Sequence, residues 1–386
     1  MSSTCLSAET LIAWVQRFAR FPSQQTELLE ADPAVKAFIT DCFAPVMDEI
    51  GLSYRMDGMG NLIAEAGPED AAHSILFLSY AMTHPAANMA DPFEASLFET
   101  DNGTAVRGRG IAEQKAALTA AIAAVADAMK SQPPLRCRLI FALSTAGETG
   151  RHDAAARIMA ELDRVPTFAI VCVGTGSQVA IGNKGRIDFD LIVHGKASHS
   201  SAPWNGVNAL SGSMHVLRQL EDLDLDVPDH PEFGPATLTP TAIESFPKAT
   251  HTVPDKVRIT FDRRLLPGED PQYALDAIGA QISLPHPWRL TLEPGPLMYP
   301  NEISLQGRLF QTLRSAFAAA GAAPPEAIYC NFALDAGYFA QHGVEAAMLG
   351  PGAVAHFHAD DEYVLVAELV KMAKIYRAII DHIPSG

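Results

Sequence analysis

Residues 74–80 read SILFLSY, and this apolar run decides the fold class. An unbroken apolar run of this length is typical of a strand that is covered on both faces. Two similar runs follow, RLIFAL at 138–143 and TFAIVCV at 167–173. An alanine- and leucine-rich helical stretch at 112–129 and a helical segment near 152–162 separate the three runs. Strands that alternate with helices predict a mostly parallel sheet with helices on both faces.

The middle of the chain has a different pattern. Residues 186–194 (RIDFDLIVH) and 255–264 (DKVRITFDRR) alternate polar and apolar side chains, which is typical of a strand with one face in water. A helix near 207–222 and a proline-rich turn at 228–240 connect them. After residue 300, strand-like and helix-like segments alternate again, as in the first part of the chain. The sequence therefore predicts an α/β domain that is interrupted by a smaller inserted α+β domain.

These patterns also give expected boundaries. The α/β domain is expected at residues 1–180 and 296–386, and the inserted α+β domain at residues 181–295. Further helices are expected at 8–20, 33–50, 303–320 and 362–382, and further strands at 61–64, 289–294, 327–330 and 345–349.

The composition excludes several classes of partner. The 386 residues include 45 acidic and 28 basic side chains, which gives a formal net charge of −17. An acidic field repels phosphate backbones and anionic lipid head groups, so nucleic acid and membrane surfaces are excluded as partners. No apolar run reaches the roughly 18 residues that a membrane-spanning helix needs. Five scattered cysteines without a CxxC pair favour a reducing compartment, and we predict a cytoplasmic location.

Five short motifs, spread along the chain, carry the chemistry. They are SYAMTHP at 79–85, GRGIAEQK at 108–115, STAGETG at 144–150, GKASHSSAPWNGVNA at 195–209 and GPGAVAHFHADDEY at 350–363. In this order they resemble the M20-type zinc amidohydrolases and exopeptidases, which include acetylornithine deacetylase, succinyl-diaminopimelate desuccinylase and aminoacylase. The resemblance covers nearly the whole chain. It implies a metal site at the carboxyl ends of the central strands, where a water molecule attacks an amide carbonyl.

Several positions depart from the motifs of that family. The first motif should hold a metal-binding histidine and an aspartate, and this chain has Tyr80 and Met82 there. The general base is replaced by Gly147, which has no group that accepts a proton. Another ligand position is occupied by Val173, and the preceding Cys172 is interpreted as a buried structural thiol. The resemblance therefore predicts a degenerate site.

Three of the metal-ligand positions are retained. The resemblance implies that Glu113, Glu148 and His358 bind one divalent metal, zinc or manganese, with water completing the coordination. The alternative is that no metal binds and that the three side chains are held by hydrogen bonds and ion pairs. His84 lies two residues after Met82, and it is either a replacement ligand or a loop histidine.

The resemblance also assigns roles in the inserted domain. His199 matches a histidine that polarises the scissile carbonyl, often from the partner subunit, and Asn208 lies in the matching turn. One of Arg263 and Arg264 is expected to bind a substrate carboxylate, unless both pair with acidic side chains. Asp335 either orients a ligand or caps the following helix. The inserted domain further implies a homodimer.

Three functions remain open at this point. The first is a divergent M20-like hydrolase of an amide or other C–N bond in a small carboxylate-bearing substrate, with at most one metal ion and with Tyr80 as an unusual proton acceptor. The second is a catalytically silent homologue that binds a small molecule or regulates a partner. The third is a metal-independent enzyme on the same scaffold. We prefer the first because Glu113, Glu148 and His358 are retained together.

Overall fold

The computed structural model describes residues 5–130, 134–147, 149–221 and 223–384. The chain divides into two compact units. The larger unit comprises Met1–Gly182, Asn301–Tyr329 and Asp335–Gly386, and the smaller unit comprises Asn183–Pro300 and Cys330–Leu334. In the described residues, no helix is both long and apolar enough to pass through a bilayer.

The helices of the larger unit come from both ends of its sequence. They are α1 (Ala8–Arg20), α2 (Pro33–Ala37), α3 (Ala44–Ile50), α4 (Ala116–Met129), α5 (Asp153–Ala160), α8 (Arg308–Ala319), α9 (Ala336–Gln341) and α10 (Val366–His382). The smaller unit contributes α6 (Ala209–Glu221) and α7 (Pro271–Gln281). Two π-helical segments, Phe38–Phe43 and Ile111–Lys115, precede α3 and α4.

The large sheet forms the centre of the larger unit. Its strands are β1 (Tyr54–Met56), β2 (Leu62–Ala66), β3 (Ser74–Tyr80), β6 (Arg138–Ser144), β7 (Phe168–Cys172), β8 (Val179–Asn183), β15 (Asn301–Glu302), β16 (Ala327–Cys330) and β17 (Glu345–Leu349). The neighbours β6, β3, β7 and β17 run parallel. Strands β1 and β2 add to this group in antiparallel pairs. A second, three-stranded antiparallel sheet consists of β4 (Ser96–Thr100), β5 (Gly103–Arg107) and β18 (Tyr363–Leu365).

The central strands are covered on both faces. Every residue of β3, β6 and β7 is buried, as their unbroken apolar runs predict. Helix α4 is alanine-rich, and its small side chains let it pack closely on the sheet with most of its residues buried. The predicted fold class, a mostly parallel sheet with helices and an inserted α+β unit, is confirmed.

The smaller unit is built on a four-stranded antiparallel sheet. Its strands lie in the order β11 (Thr237–Phe246), β13 (Lys256–Leu265), β9 (Gly185–His194) and β14 (Arg289–Met298). Two short strands, β10 (Ser198–His199) and β12 (Thr252–Val253), pair beside it. Strand β13 alternates strictly between buried and partly exposed residues, and its buried Phe261 stacks on Phe189 of β9. This one-sided burial matches the alternation in the sequence.

Two features of the fold differ from the sequence pattern. The expected helix at 33–50 is three consecutive segments, α2, the π-helical turn and α3, because Pro45 at the start of α3 has no N–H to donate. Strand β11 begins at Thr237, inside the stretch for which the pattern predicts a turn. It is an exposed edge strand whose register shifts between Pro240 and Ala242, so it shows neither an apolar run nor clean alternation.

Candidate active site

The candidate site lies in the larger unit, at the carboxyl edge of the parallel strands. Strands β3, β6, β7 and β17 end there at Tyr80, Ser144, Cys172 and Leu349. The segments that leave β3, β6 and β17 carry three of the five motifs seen in the sequence. A fourth motif, at 108–115, lies beside them, because the Gly174 N–H after β7 donates to the Glu113 carbonyl at 2.8 Å. Open parallel sheets place ligand sites at this edge, so the topology brings the motifs together.

Glu113 and His358 meet at this edge. The Nε2 atom of His358 lies 3.3 Å from an Oε atom of Glu113, and their side chains are 42 % and 13 % exposed, respectively. The ring of His84 stacks on the ring of His358, with centroids 3.8 Å apart and an angle of 14° between the planes. Glu148, the third predicted ligand, lies outside the described residues. Two of the three predicted metal ligands are therefore adjacent, with a third candidate donor, His84, beside them.

Glu362 holds the segment that carries Glu113. Its carboxylate accepts hydrogen bonds from the backbone N–H groups of Gly110 and Ala112, each at 2.9 Å, and of Glu113 at 3.3 Å. The same carboxylate forms a fully buried ion pair with Arg109 at 2.9 Å. Burial raises the pKa of the Glu362 carboxyl, although the Gly110 N–H and the Arg109 charge oppose this rise. Since Glu362 follows His358 by four residues, it ties both segments of the Glu113–His358 pair together.

The backbone around this pair is also unusual. Glu113 lies in the π-helical turn Ile111–Lys115, and such turns are frequent at functional sites. His358 has a φ of +60°, a left-handed conformation that few non-glycine residues adopt. Gly352 has a φ of +85°, and a Cβ there would lie 2.4 Å from the carbonyl oxygen of Ala112. The close approach of residue 352 to residue 112 therefore requires glycine.

A second group of polar side chains is buried at the same edge. The Tyr80 hydroxyl donates to Oδ2 of Asp335 at 2.8 Å, and Nδ1 of His152 lies 2.6 Å from Oδ1 of the same carboxylate. Burial, followed by the neighbouring Asp335 charge, raises the pKa of Tyr80 well above its usual value. Its hydroxyl is therefore protonated and acts as a hydrogen-bond donor, not as a base.

The positions of the second metal and of the general base hold no ligand. Met82 and Val173 are buried apolar side chains, and the Tyr80 hydroxyl is bound to Asp335. A Cβ on Gly147 would lie 2.3 Å from the carbonyl oxygen of Met82, so no larger residue fits this backbone. The donor set therefore does not fit a two-metal centre. Among the described residues, no group of three His, Cys, Asp or Glu side chains is arranged to hold a metal ion.

Cys172 lies at the end of β7, beside the vacant ligand position. It is fully buried, and this burial raises the pKa of its thiol to about 12. The sulfur is therefore a protonated thiol at neutral pH. A metal ligand would have to be a thiolate.

The remaining predicted residues lie in the smaller unit. The His199 ring is exposed, and its Nδ1 lies 2.7 Å from the Ser201 hydroxyl. The Oδ1 of Asn208 accepts from the backbone N–H of Leu210 at 2.9 Å, as a residue that caps the start of α6 does. These contacts hold both side chains in place within their own unit.

Both predicted carboxylate-binding arginines have acidic partners in that unit. Arg263 is buried and paired with Glu269. Arg264 makes two parallel hydrogen bonds to Asp262, at 2.8 and 2.9 Å. Such bidentate pairs are strong and leave few donors for another anion.

Sequence reasoning did not find three residues that build the site. Glu362 belongs to the last motif, but its role depends on contacts with residues about 250 positions away. Arg109 is the buried partner of this carboxylate, and an arginine in a glycine-rich motif gives no sign of burial. His152 follows the third motif by two residues, but nothing in the spacing indicates that it meets Asp335.

Comparison with known proteins agrees with the division of the chain into two units. Residues 181–288 match the family described as "Peptidase dimerisation domain". A protein named probable carboxypeptidase from Aspergillus flavus is 25 % identical over 347 residues, which span 82 % of this chain and 74 % of that protein.

Two solved structures have the same fold. The M20 family metallo-carboxypeptidase Sso-CP2 from Sulfolobus solfataricus superposes with a TM-score of 0.74 at 14 % identity, covering 96 % of this chain and 98 % of that one. The aminopeptidase PepT from Bacillus cereus gives 0.72 at 17 % identity, covering 98 % and 99 %. The chain has the two-domain architecture with an inserted dimerisation domain. The resemblance to M20-type proteins that the motifs predict is confirmed.

Proposed function

We propose that the protein is an M20-type hydrolase that cleaves an amide or other C–N bond of a small carboxylate-bearing substrate, with at most one metal ion. The observation that carries this proposal is the contact between Glu113 and His358, 3.3 Å apart at the carboxyl edge of the sheet. The names of the similar proteins, a carboxypeptidase, a metallo-carboxypeptidase and an aminopeptidase, support cleavage of a C–N bond.

A single divalent metal, zinc or manganese, is compatible with the Glu113–His358 pair. Glu113 and His358 would hold it together with Glu148, and its charge would lower the pKa of an attacking water. The buried Glu362 carboxylate holds the backbone of Glu113 through hydrogen bonds, which supports a fixed position for this candidate ligand. A metal-free site is the alternative.

The smaller unit would supply contacts to the substrate. We propose that His199 donates to the scissile carbonyl oxygen, where negative charge develops, and that Asn208 lines the same surface. Arg263 and Arg264 stay candidates for the substrate carboxylate, but each would have to exchange or share an acidic partner. Of the two, Arg264 is the better candidate because its side chain is 27 % exposed whereas that of Arg263 is 1 % exposed.

We also propose a homodimer formed through the smaller unit. The matched domain is described as a dimerisation domain, and edge strand β11 exposes Ile243 while α6 exposes Leu210 and Met214. An unpaired strand edge beside exposed apolar side chains is well suited to pairing with a second copy. A small molecule as substrate and a cytoplasmic location complete the proposal.

Metal content and turnover test this function together. The purified full-length chain is analysed for metal, then assayed for amine release from N-acetyl, N-succinyl, N-formyl and N-carbamoyl amino acids and from dipeptides, with and without added zinc or manganese. We expect turnover that falls by at least about 10²-fold in Glu113→Gln and His358→Gln, because both remove a group from the reacting edge. Asp361→Asn, exposed on the same loop, is the matched control.

The outcomes separate the three hypotheses. Turnover that is lost with a chelator and restored by one equivalent of metal supports the single-metal hydrolase. Full activity after exhaustive chelation favours a metal-independent enzyme, which the buried Tyr80–Asp335–His152 group makes a specific alternative. Absence of turnover on every substrate, with or without metal, favours the silent homologue.

A further inference from the structure

Arg107 lies on the outer face of the small three-stranded sheet of the larger unit. Its neighbour Val106 on β5 and Val364 on β18 belong to the buried core of this unit. Because side chains alternate along a strand, Arg107 and Tyr363, which are directly paired, lie on the opposite face. Phe98 of β4 shares that face, and its ring meets the Tyr363 ring edge to face, with centroids 5.6 Å apart. The outer face therefore carries a guanidinium beside two aromatic rings.

The Arg107 guanidinium uses few of its donors within the protein. Its Nη2 donates to the backbone carbonyl of Asp360 at 3.1 Å, and its Nε is buried without a hydrogen-bond partner. Within the part of the chain that the structure describes, no carboxylate forms an ion pair with it. A guanidinium has five N–H donors and keeps its charge, so Arg107 is a partly exposed cation without an acidic partner. Arg263 and Arg264 differ from it, because each is paired with an acid.

The loop that carries His358 joins this face to the candidate site. Asp360, whose carbonyl accepts from Arg107, follows His358 by two residues, so at most about 7.6 Å separates the Cα atoms of these two residues. His356 precedes His358 by two residues, and its ring centroid lies 4.3 Å from that of Tyr363. Arg107 and the aromatic rings therefore contact the loop on both sides of His358.

We propose that Arg107 binds the carboxylate of the substrate, and that the rings of Phe98 and Tyr363 contact an apolar side chain of the same substrate. The inference rests on the proposed hydrolase function and names its substrate class. This class is an N-acylated amino acid or short peptide with a free carboxylate and an apolar side chain. A guanidinium fork matches the geometry of a carboxylate. Arg107 thereby takes the role expected of Arg263 or Arg264, whose donors already bind acids.

A binding measurement tests the carboxylate contact without requiring turnover. The probes are 3-phenylpropionate and its neutral analogue 3-phenylpropan-1-ol, neither of which has an amide to hydrolyse. ¹H–¹⁵N spectra of the full-length, ¹⁵N-arginine-labelled protein report each Nε–H group, and the Arg107 signal is assigned by its loss in Arg107→Gln. We expect this signal to shift with 3-phenylpropionate and not with the alcohol. A signal that does not move at the highest soluble concentration of the acid overturns the inference.

Kinetic measurements test the same contact during turnover. On a carboxylate-bearing substrate that the wild type hydrolyses, Arg107→Gln should raise KM by about 10- to 100-fold, because charge-assisted hydrogen bonds to the bound substrate are lost. We expect kcat to stay within about threefold, since the contact is equal in the ground state and the transition state. KM for the carboxamide analogue should not change. Arg107→Lys keeps the charge but not the fork, so its KM should lie between those of the wild type and Arg107→Gln.

Arg164→Gln is the matched control for these measurements. Arg164 also donates Nη2 to a backbone carbonyl, that of Ala71 at 2.8 Å, but it precedes β7 and so lies at the opposite edge of the large sheet. Both KM values should be unchanged in this variant. Phe98→Ala tests the aromatic contact, and it should raise KM more for a substrate with a phenylalanine side chain than for its glycine analogue. Equal effects on the two substrates would show that Phe98 does not contact the side chain.

The failures of the two proposals are distinguishable. If the preference for a carboxylate over a carboxamide survives in Arg107→Gln, the inference is wrong and the hydrolase function stands. If that preference is instead lost in Arg264→Gln, Arg264 is the carboxylate-binding residue. If the wild type turns over no substrate, the hydrolase function fails. The titration with 3-phenylpropionate then still decides whether Arg107 binds a carboxylate.

Discussion

The two halves of the carboxyl edge have opposite physical characters. Glu113 and His358 are partly exposed, and the buried Glu362 carboxylate accepts a hydrogen bond from the backbone N–H of Glu113. Tyr80, Asp335 and His152 form a closed group with almost no exposure. The first half has residue types that can bind a cation, whereas the second half is an internal hydrogen-bond network. The buried polar side chains of the second half satisfy one another.

The largest expected effect concerns the support of the first half. Glu362→Ala would leave the buried Arg109 guanidinium without its counter-charge and three backbone N–H groups without this acceptor. Removing one partner of a buried ion pair commonly costs about 3–5 kcal/mol. We expect a loss of this size in the free energy of unfolding, measured by urea titration. The neighbouring Asp361→Ala, at an exposed position, should change it little. Equal losses in both variants would mean that Glu362 does not organise this half.

The next prediction tests whether the missing general base can simply be put back. Gly147→Glu would restore the pair of adjacent acids, but any Cβ at this position overlaps the Met82 carbonyl. We expect no gain in turnover and a loss of about 1–3 kcal/mol in stability, as for other overpacked sites. Gly147→Ala isolates the steric part.

A glycine elsewhere provides the control for this strain. At Gly279, inside α7, a Cβ would meet only a Leu292 methyl at 3.8 Å. Gly279→Ala should therefore be neutral or stabilise by up to about 1 kcal/mol, because alanine is the better helix former. Thermal and urea unfolding of both alanine variants give the comparison. A stable Gly147→Glu protein with raised turnover would contradict the steric argument at this position.

The sequence predicted the fold well because its strongest signals come from burial. The apolar runs at 74–80 and 138–143 and the alternation at 255–264 each follow from how many faces of a strand are covered. The sequence did not predict strand β11, because it is an edge strand. No packed surface requires its side chains to alternate between polar and apolar. The antiparallel β4–β5 pair was missed for a similar reason, since β4 is largely exposed.

The site was less predictable than the fold. The motifs gave Glu113 and His358, which the structure brings together, and they indicated where ligands are lacking. They could not indicate what fills those places, because the contact of Tyr80 with Asp335 joins residues 255 positions apart. The raised pKa of Tyr80 likewise follows from burial and from a distant carboxylate, so its expected role as a proton acceptor rested on residue type alone. The site roles stay predictions until the variants are measured.

The third prediction tests whether water is excluded from the hydrogen bond between Tyr80 and Asp335. Tyr80→Phe would leave Oδ2 of Asp335 buried without its donor, which typically costs about 1–3 kcal/mol. The matched control is Tyr273→Phe, since the Tyr273 hydroxyl also donates to an aspartate, Asp226, at 3.1 Å, but in an exposed pair. We expect no measurable change in the control by urea unfolding. If Tyr80→Phe does not change the free energy of unfolding, water reaches Asp335 and replaces the lost hydrogen bond.

The smallest effect is a pH dependence that reports on the same burial. Cys172 lies beside Tyr80, and burial raises the pKa of its thiol to about 12. Below the unfolded thiol pKa of about 8.5, both states are protonated and the stabilisation is fully present. Above it, only the unfolded chain releases the proton, so stability falls as pH rises towards the folded pKa. From pH 8 to pH 9 this loss is about 0.7 kcal/mol for one thiol.

Cys172→Ala should remove that part of the slope. Free energies of unfolding are compared at pH 8 and pH 9 for the wild type and the variant, so that the remaining titrating groups cancel. Cys137→Ala is a second reference, because burial raises the pKa of the Cys137 thiol to about 11 at the opposite end of the sheet. If only Cys137→Ala changes the slope, Cys172 titrates normally in the folded protein. Water would then reach the side chains around Tyr80 and Asp335. The two halves of the edge would no longer differ in their access to solvent.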